Sequence, residues 1–180
     1  VILCARQFGK SHLGVAYQLE NAARWDDRCF LIMGPTLKQT REIVAPRLRR
    51  IAADAPKGFV RPSKSEGKWY VGTSEIVMGG FDQNSSGQRG KTVQETTIEE
   101  IVDSNPDDYQ ESLRSDIGPA MTHSDEGKTV FLTTLPKVPD HPFITETMAQ
   151  AQLNDAFYSF DIYANKHLTK AQFDACVRRA

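Results

Sequence analysis

Three short groups of side chains in this sequence have the types and spacing to do chemistry. The first is Gly9-Lys10-Ser11, entered from the apolar run Val1-Ile2-Leu3 and left through Leu13, Val15, Ala16 and Leu19 at helical spacing. Strand, tight loop and helix in that order make a cradle for a polyphosphate. Backbone N–H groups of residues 6 to 11 turn inward, and the positive end of the helix adds its field. A lysine there reaches the outer phosphates, and a serine hydroxyl completes the shell of a Mg²⁺ ion. The second group is Glu99-Glu100, which closes the run Val93-Gln94-Glu95-Thr96-Thr97-Ile98. Successive strand residues point to opposite sides, so one acid can organise a metal while the other polarises an attacking water. The third is Thr133-Thr134, a hydroxyl pair at the end of the clear strand Lys128–Leu132.

Each group also has a plain structural reading. Gly-Lys-Ser occurs by chance at helix starts. Glu95, Glu99, Glu100 and Asp103 could lie along one solvated helix face, and Asp103 is an alternative acid just before Asn105-Pro106 ends its element. Two threonines before Leu135-Pro136 also suit the end of any strand.

The elements that must position these groups alternate. Residues 10 to 24 read as a helix, and Arg28–Met33 as a short apolar strand closed by Gly34-Pro35. Thr36 caps a second helix running to about Ala53, which Pro46 is expected to kink or break. Its Lys38, Arg41, Arg47, Arg49 and Arg50 are the densest basic cluster, either a DNA-backbone contact or a solvated face. A period-two pattern then gives Trp69–Gly72 and Ser74–Phe81 as paired strands about a Gly72-Thr73 turn. Asn84–Lys91 is a polar, glycine-rich loop. On the strand that leads to Glu99, Gln94 and Glu95 fit best at an exposed entry. A helix from Asp107 to about Ser115, an irregular stretch over Ile117–Met121, the strand from Lys128, a helix from His141 to about Leu153, a strand over Phe157–Tyr163 and a last helix capped by Thr169 complete the order.

Composition bounds the rest. A length of 180 residues predicts one domain with a substantial core. A net charge of −1 gives no global signal for nucleic acid, so any DNA contact must be local. Cys4, Cys29 and Cys176 are odd in number and widely spaced, which fits buried reduced thiols better than disulfides or zinc. The histidines His12, His123, His141 and His167 are scattered among turns and helix starts, as solvated or capping residues would be. No apolar run approaches the roughly 18 residues of a membrane span.

The full phosphate-loop pattern, G-x-x-x-x-G-K-[ST], would put glycine where Cys4 stands. The stretch Ala5-Arg6-Gln7-Phe8-Gly9-Lys10-Ser11 instead resembles the variant phosphate loop (Walker A) of large terminase subunits, the packaging motors of tailed bacteriophages. Arg89-Gly90 before the acidic strand, the acids Glu99-Glu100 and the pair Thr133-Thr134 follow in that family's order. Two departures stand beside this: Glu99 occupies a position more often Asp, and Leu135-Pro136 inserts one residue before the proline. The resemblance implies an α/β P-loop NTPase of the motor ATPase type, with a mostly parallel central sheet flanked by helices and a β-hairpin insertion around residues 68–81. It implies ATP and Mg²⁺ as ligands, with Arg6, Gln7, Phe8, Gly9, Lys10, Ser11 and His12 around the nucleotide and Ser11 and Glu99 on the metal. Glu100 becomes the catalytic base, assisted by Lys10 and Arg6. Arg6 acts as an arginine finger in cis or anchors the loop against an acid. Thr133 and Thr134 become the motif that couples hydrolysis to movement.

The implied function is ATP hydrolysis that drives double-stranded DNA into a procapsid, in the cytoplasm of an infected bacterial host. The implied partners are that DNA, further copies in a homo-oligomeric ring, the portal protein and the small terminase subunit, with no membrane. Opening on the phosphate-loop strand and stopping within a helix, residues 1–180 read as a single ATPase domain cut at both ends. On that reading the adenine-side segment and the C-terminal nuclease domain lie outside it, and the isolated fragment need not turn over. Two rivals fit the same residues: another P-loop DNA motor such as a helicase, and a degenerate nucleotide-binding or assembly module without turnover.

Overall fold

The structure, a computed structural model, describes residues 1–5, 8–63, 67–83, 92–101, 104–122, 124, 127–161, 164–165 and 169–170. Its first half is built from β1 (Ile2–Cys4), α1 (Lys10–Arg24), β2 (Cys29–Gly34), α2 (Leu37–Asp54), β3 (Val60–Pro62), β4 (Lys68–Val71) and β5 (Ser74–Gly80). Then come β6 (Glu95–Glu99) and a helix that starts as α3 (Pro106–Glu111), widens to π-helical geometry over Ser112–Ile117 and ends as α4 (Gly118–Met121). The last part holds β7 (Lys128–Thr133), a π-helical turn Phe143–Met148 leading into α5 (Ala149–Leu153), and β8 (Tyr158–Phe160).

One sheet carries all of these strands in the order β3-β4-β5-β2-β6-β7-β1-β8. The run from β5 to β8 is parallel, and β3, β4 and β5 pair antiparallel. Parallel strands are covered on both faces and so are apolar throughout; β2, Cys-Phe-Leu-Ile-Met-Gly, is buried at every position. Its alternation splits the core. Phe30 and Ile32 pack with Val15, Val44, Leu48, Trp69 and Ile76 under α1 and α2. Leu31 and Met33 pack with Ile98, Tyr109, Phe131 and Phe143 on the opposite face.

The most polar strand, β6, is equally buried, and here the structure corrects the sequence reading. Glu95 is not at an exposed entry but only 4 % accessible. The inward face of α1 is polar to match: Gln18 donates to Thr97 Oγ1 at 2.6 Å, and Asn21 donates to both Glu95 carboxylate oxygens at 3.4 Å. Lys128 on the neighbouring strand pairs with Glu95 at 3.3 Å. Burial nevertheless pushes the Glu95 carboxyl above its ordinary range, against the pull of Lys128.

Other expectations shift as well. Pro46 does not break α2, which runs on to Asp54. Pro46 and Glu42 are exposed, so the carbonyl that loses its N–H partner can be hydrated, while Thr40, Val44 and Leu48 pack the other side. Residues 117–121 are helical rather than irregular. The hairpin around 68–81 is present as β4–β5, and β5 is also a full parallel member of the main sheet through β2. Strand β3 beside it had no clear alternation to mark it. His141 is 1 % exposed and so is not solvated, but it does cap its helix, with Nδ1 accepting from the Phe143 N–H at 3.1 Å. No helix among the described residues is long and apolar enough to cross a membrane.

Candidate active site

The carboxyl ends of β1, β6 and β7 lie together because β7 sits between the other two in a parallel run. The chain therefore delivers Cys4, Glu99 and Thr133 to one edge of the sheet. The register pairs Glu99 with Leu132, and the Glu100 N–H donates to the Leu132 carbonyl at 3.1 Å. Open α/β sheets bind ligands in the crevice outside these ends.

Gly9 precedes α1 with φ +89°, a left-handed conformation that glycine adopts freely. A Cβ there would meet nothing within 4 Å, so the backbone, not crowding, calls for glycine. Lys10 follows as the first residue of α1. Its buried ammonium donates to the Ala5 carbonyl at 3.2 Å and the Cys4 carbonyl at 3.4 Å, and lies 3.6 Å from Glu100 Oε2. The lysine is thus held across the loop between strand end and acid.

Glu100 itself has φ +51°, uncommon for a residue with a side chain. Thr134 Oγ1 donates to Glu100 Oε1 at 3.0 Å. Thr133 Oγ1 accepts from the Ile101 N–H at 2.9 Å and donates to the Thr134 carbonyl at 2.9 Å. The two threonines predicted as a pair therefore fasten the turn after Glu99 and orient the Glu100 carboxylate.

Glu99 points the other way, into the protein, and is 5 % exposed. Burial raises its carboxyl above the ordinary range; the Ser11 hydroxyl, Arg47 and Lys10 oppose that, and Glu100 adds to it. Its Oε1 is buried without a hydrogen-bond partner. Gly14 on α1 leaves room for it, since a Cβ at that position would stand 2.5 Å from Glu99 Oε1.

Phe8, Gly9, Lys10, Ser11, His12, Arg47 and Glu100 line an open cleft of about 380 Å³. A smaller hollow of about 120 Å³ adjoins it beneath α2, walled by Ile32, Met33, Thr40 and Val44 and by Glu99 and Glu100. The donors fit Mg²⁺: a serine hydroxyl close to a carboxylate with a spare buried oxygen is an all-oxygen set of the kind hard cations take. Among the described residues no three His, Cys, Asp or Glu side chains form a cation cage.

Of the predicted site residues, Phe8, Gly9, Lys10, Ser11, His12, Glu99, Glu100, Thr133 and Thr134 thus converge. Arg6, Gln7, Arg89, Gly90 and the alternative acid Asp103 lie outside the described residues. Two residues were missed. Arg47 had been grouped with the basic face of α2, and Gly14 carried no signal beyond being a glycine inside a helix. The reading of the acids as one solvated helix face fails, because Glu95 and Glu99 are on a buried strand.

No protein family matches the chain, and no curated protein matches it. Solved structures do. The large terminase of a thermophilic bacteriophage superposes with a TM-score of 0.76 at 17 % identity, covering 99 % of this chain and 44 % of that one. That terminase has also been solved with ADP and with ATP-γ-S. The large terminase ATPase domain of Thermus phage P74-26 gives 0.66 at 17 % identity over 96 % of this chain and 84 % of that one. The large terminase of bacteriophage HK97 gives 0.67 at 14 %, over 97 % and 38 %. The chain spans less than half the length of the first and last of these. It has the fold of phage large terminase ATPase domains, a P-loop NTPase fold.

Proposed function

We propose that this chain is the ATPase domain of a phage large terminase, a motor that hydrolyses ATP to drive double-stranded DNA into a procapsid. The observation that carries the reading is the convergence of Lys10, Ser11 and Glu100 on one cleft at the carboxyl edge of a parallel sheet, with Glu99 in the hollow that adjoins it. Solved structures of the same fold that hold ADP and ATP-γ-S support the choice of ligand.

In this reading the β- and γ-phosphates enter the cleft against the loop amides and the amino end of α1. Lys10 exchanges its neutral carbonyl partners for phosphate oxygens. Mg²⁺ bound with the nucleotide through Ser11 and Glu99 would neutralise charge that develops on the phosphates. Glu100, held by Thr134, accepts a proton from the water that attacks the γ-phosphorus. Loss of the γ-phosphate removes what Glu100 and Lys10 face, and Thr133 and Thr134 pass that change to Ile101 and to β7. Arg6 would add positive charge from within the loop. The ring of further copies, the portal protein, the small subunit and the host cytoplasm belong to the same proposal.

The test is Mg²⁺-dependent ATP binding and hydrolysis by wild type, Lys10→Ala and Glu100→Gln. Lys10→Ala is expected to abolish binding. Glu100→Gln is expected to bind normally and lose turnover by at least ~10²-fold, the scale of a lost general base. A wild-type chain that binds no nucleotide, with Lys10→Ala indistinguishable from it, would falsify the reading. DNA-stimulated turnover then separates a DNA motor from a binding module.

A further inference from the structure

Arg47 stands apart from the other basic residues of its helix. Lys38, Arg41, Arg49 and Arg50 are exposed, whereas Arg47 is half-buried and lines the cleft with Lys10, Ser11 and Glu100. Helical geometry accounts for this. Thr40, Val44 and Leu48 form the buried stripe of α2, and Arg47 flanks it, one residue before Leu48 and three after Val44. Its guanidinium donates to the carbonyl of Ile43, one turn back on the same helix, and lies near enough to Glu99 for its charge to act on that carboxylate.

Charge balance gives that position a purpose. Among the described residues that line the cleft, Lys10 and Arg47 are the two permanent cations, and Lys10 already faces Glu100 at 3.6 Å. A nucleoside triphosphate brings several negative charges up to two glutamates. The phosphate nearest those glutamates is the terminal one, if Glu100 is to aim a water at it. Arg47 occupies that side of the cleft, and its present partner is a neutral carbonyl that an anion can outcompete. A guanidinium presents a rigid fork suited to two phosphate oxygens.

We propose that Arg47 contacts the terminal phosphate of the bound nucleoside triphosphate from the α2 wall, opposite the phosphate loop. The cleft thereby distinguishes triphosphate from diphosphate. This rests on the nucleotide-binding reading above. Arg47 releases the Ile43 carbonyl when the terminal phosphate is present and returns to it when only the diphosphate remains.

The experiment is equilibrium binding of ADP and of a non-hydrolysable ATP analogue, with Mg²⁺, to the full chain and to Arg47→Met and Arg47→Lys. The expected result is a loss of roughly 10- to 100-fold for the analogue in Arg47→Met, the scale of a charge-assisted hydrogen bond, with ADP within about twofold of wild type. Arg47→Lys keeps the stem and charge but not the fork, and should recover only part of the loss, which also covers the case of a methionine variant that does not fold. A side chain that merely packs α2 would shift both nucleotides alike, so the ratio of the two affinities is the readout. An unchanged ratio in a wild-type-like fold overturns the Arg47 assignment and leaves the nucleotide site standing. Wild type that binds neither nucleotide overturns both.

Discussion

Glu99 and Gly14 explain each other. In the proposed site Glu99 is the acid on the metal side, and glutamate is one methylene longer than aspartate. The missing Cβ of Gly14 is where that extra length goes: an added methyl would stand 2.5 Å from Glu99 Oε1 and 2.9 Å from Leu132 Cδ1. Gly14→Ala should push the Glu99 carboxylate out of line with Ser11, at an overpacking cost of about 1–3 kcal/mol that alanine's helix preference of about 1 kcal/mol partly offsets. Shortening the acid gives the space back. We expect Gly14→Ala to lose Mg²⁺-dependent turnover by roughly tenfold or more and Gly14→Ala/Glu99→Asp to regain most of it, a coupling that a double-mutant cycle measures directly. Losses that simply add would mean the two positions do not share this space. At this scale the sequence was legible for residue types but not for directions. The Gly9-Lys10-Ser11 group, Glu100 and Thr134 were legible as residues that come together, because a strand end, a tight loop and a helix start follow in a specific order. Arg47 was not, because a residue at the flank of a helix's buried stripe can turn to solvent or to a cleft, and only the neighbouring strand ends decide which.

The turn after β6 is pinned by an element outside the site, the segment that follows β7. His141 Nδ1 accepts from the Phe143 N–H at 3.1 Å, so the ring proton is on Nε2, 3.4 Å from Ser104 Oγ. Ser104 Oγ in turn donates to the Ile101 carbonyl at 2.7 Å, and the imidazole lies 5.1 Å from the Tyr109 ring. This clamp needs neutral histidine. Burial pushes the His141 pKa below its ordinary value. The folded state then binds fewer protons than the unfolded chain, so the stabilisation is present above the ordinary imidazole value and is lost as pH falls through it toward the depressed one. Thermal unfolding between about pH 7.5 and 5.5 should show a falling Tm in wild type and a flatter profile in His141→Asn, whose amide oxygen can still accept from Phe143. Equal slopes would remove His141 from the pH dependence. The helices and most parallel strands were readable because apolar periodicity and capping residues agree; Thr36 does accept from the Gln39 N–H at 3.1 Å. Burial of Glu95 was not readable. A polar strand is tolerated inside only because Gln18, Asn21 and Lys128 lie across from it, and that match joins residues far apart in the chain.

For the molecule as a whole, the sheet order places the proposed chemistry away from one edge and near the other. β6 and β7 are interior and β1 is one strand from the β8 edge, whereas β3 is a three-residue strand at the other edge, paired only with β4. Strand order was the part of the fold least available from sequence, since strands adjacent in the chain, such as β1 and β2, are separated in the sheet by β6 and β7. This arrangement makes ligand linkage measurable region by region. Amides of β2 and β6, paired on both sides and fully buried, should exchange only by global unfolding; those of β3 should exchange by local fraying. A ligand that binds only the folded state slows global opening by its degree of saturation and leaves fraying that does not disturb the site almost untouched. With Mg²⁺ and a non-hydrolysable ATP analogue at about 100 times its Kd, hydrogen exchange followed by mass spectrometry should slow roughly 100-fold in β2 and β6 and by less than about twofold in β3. Equal slowing at the β3 edge would locate the nucleotide there instead, and no slowing in β2 and β6 would mean that the cleft at their carboxyl ends does not hold it.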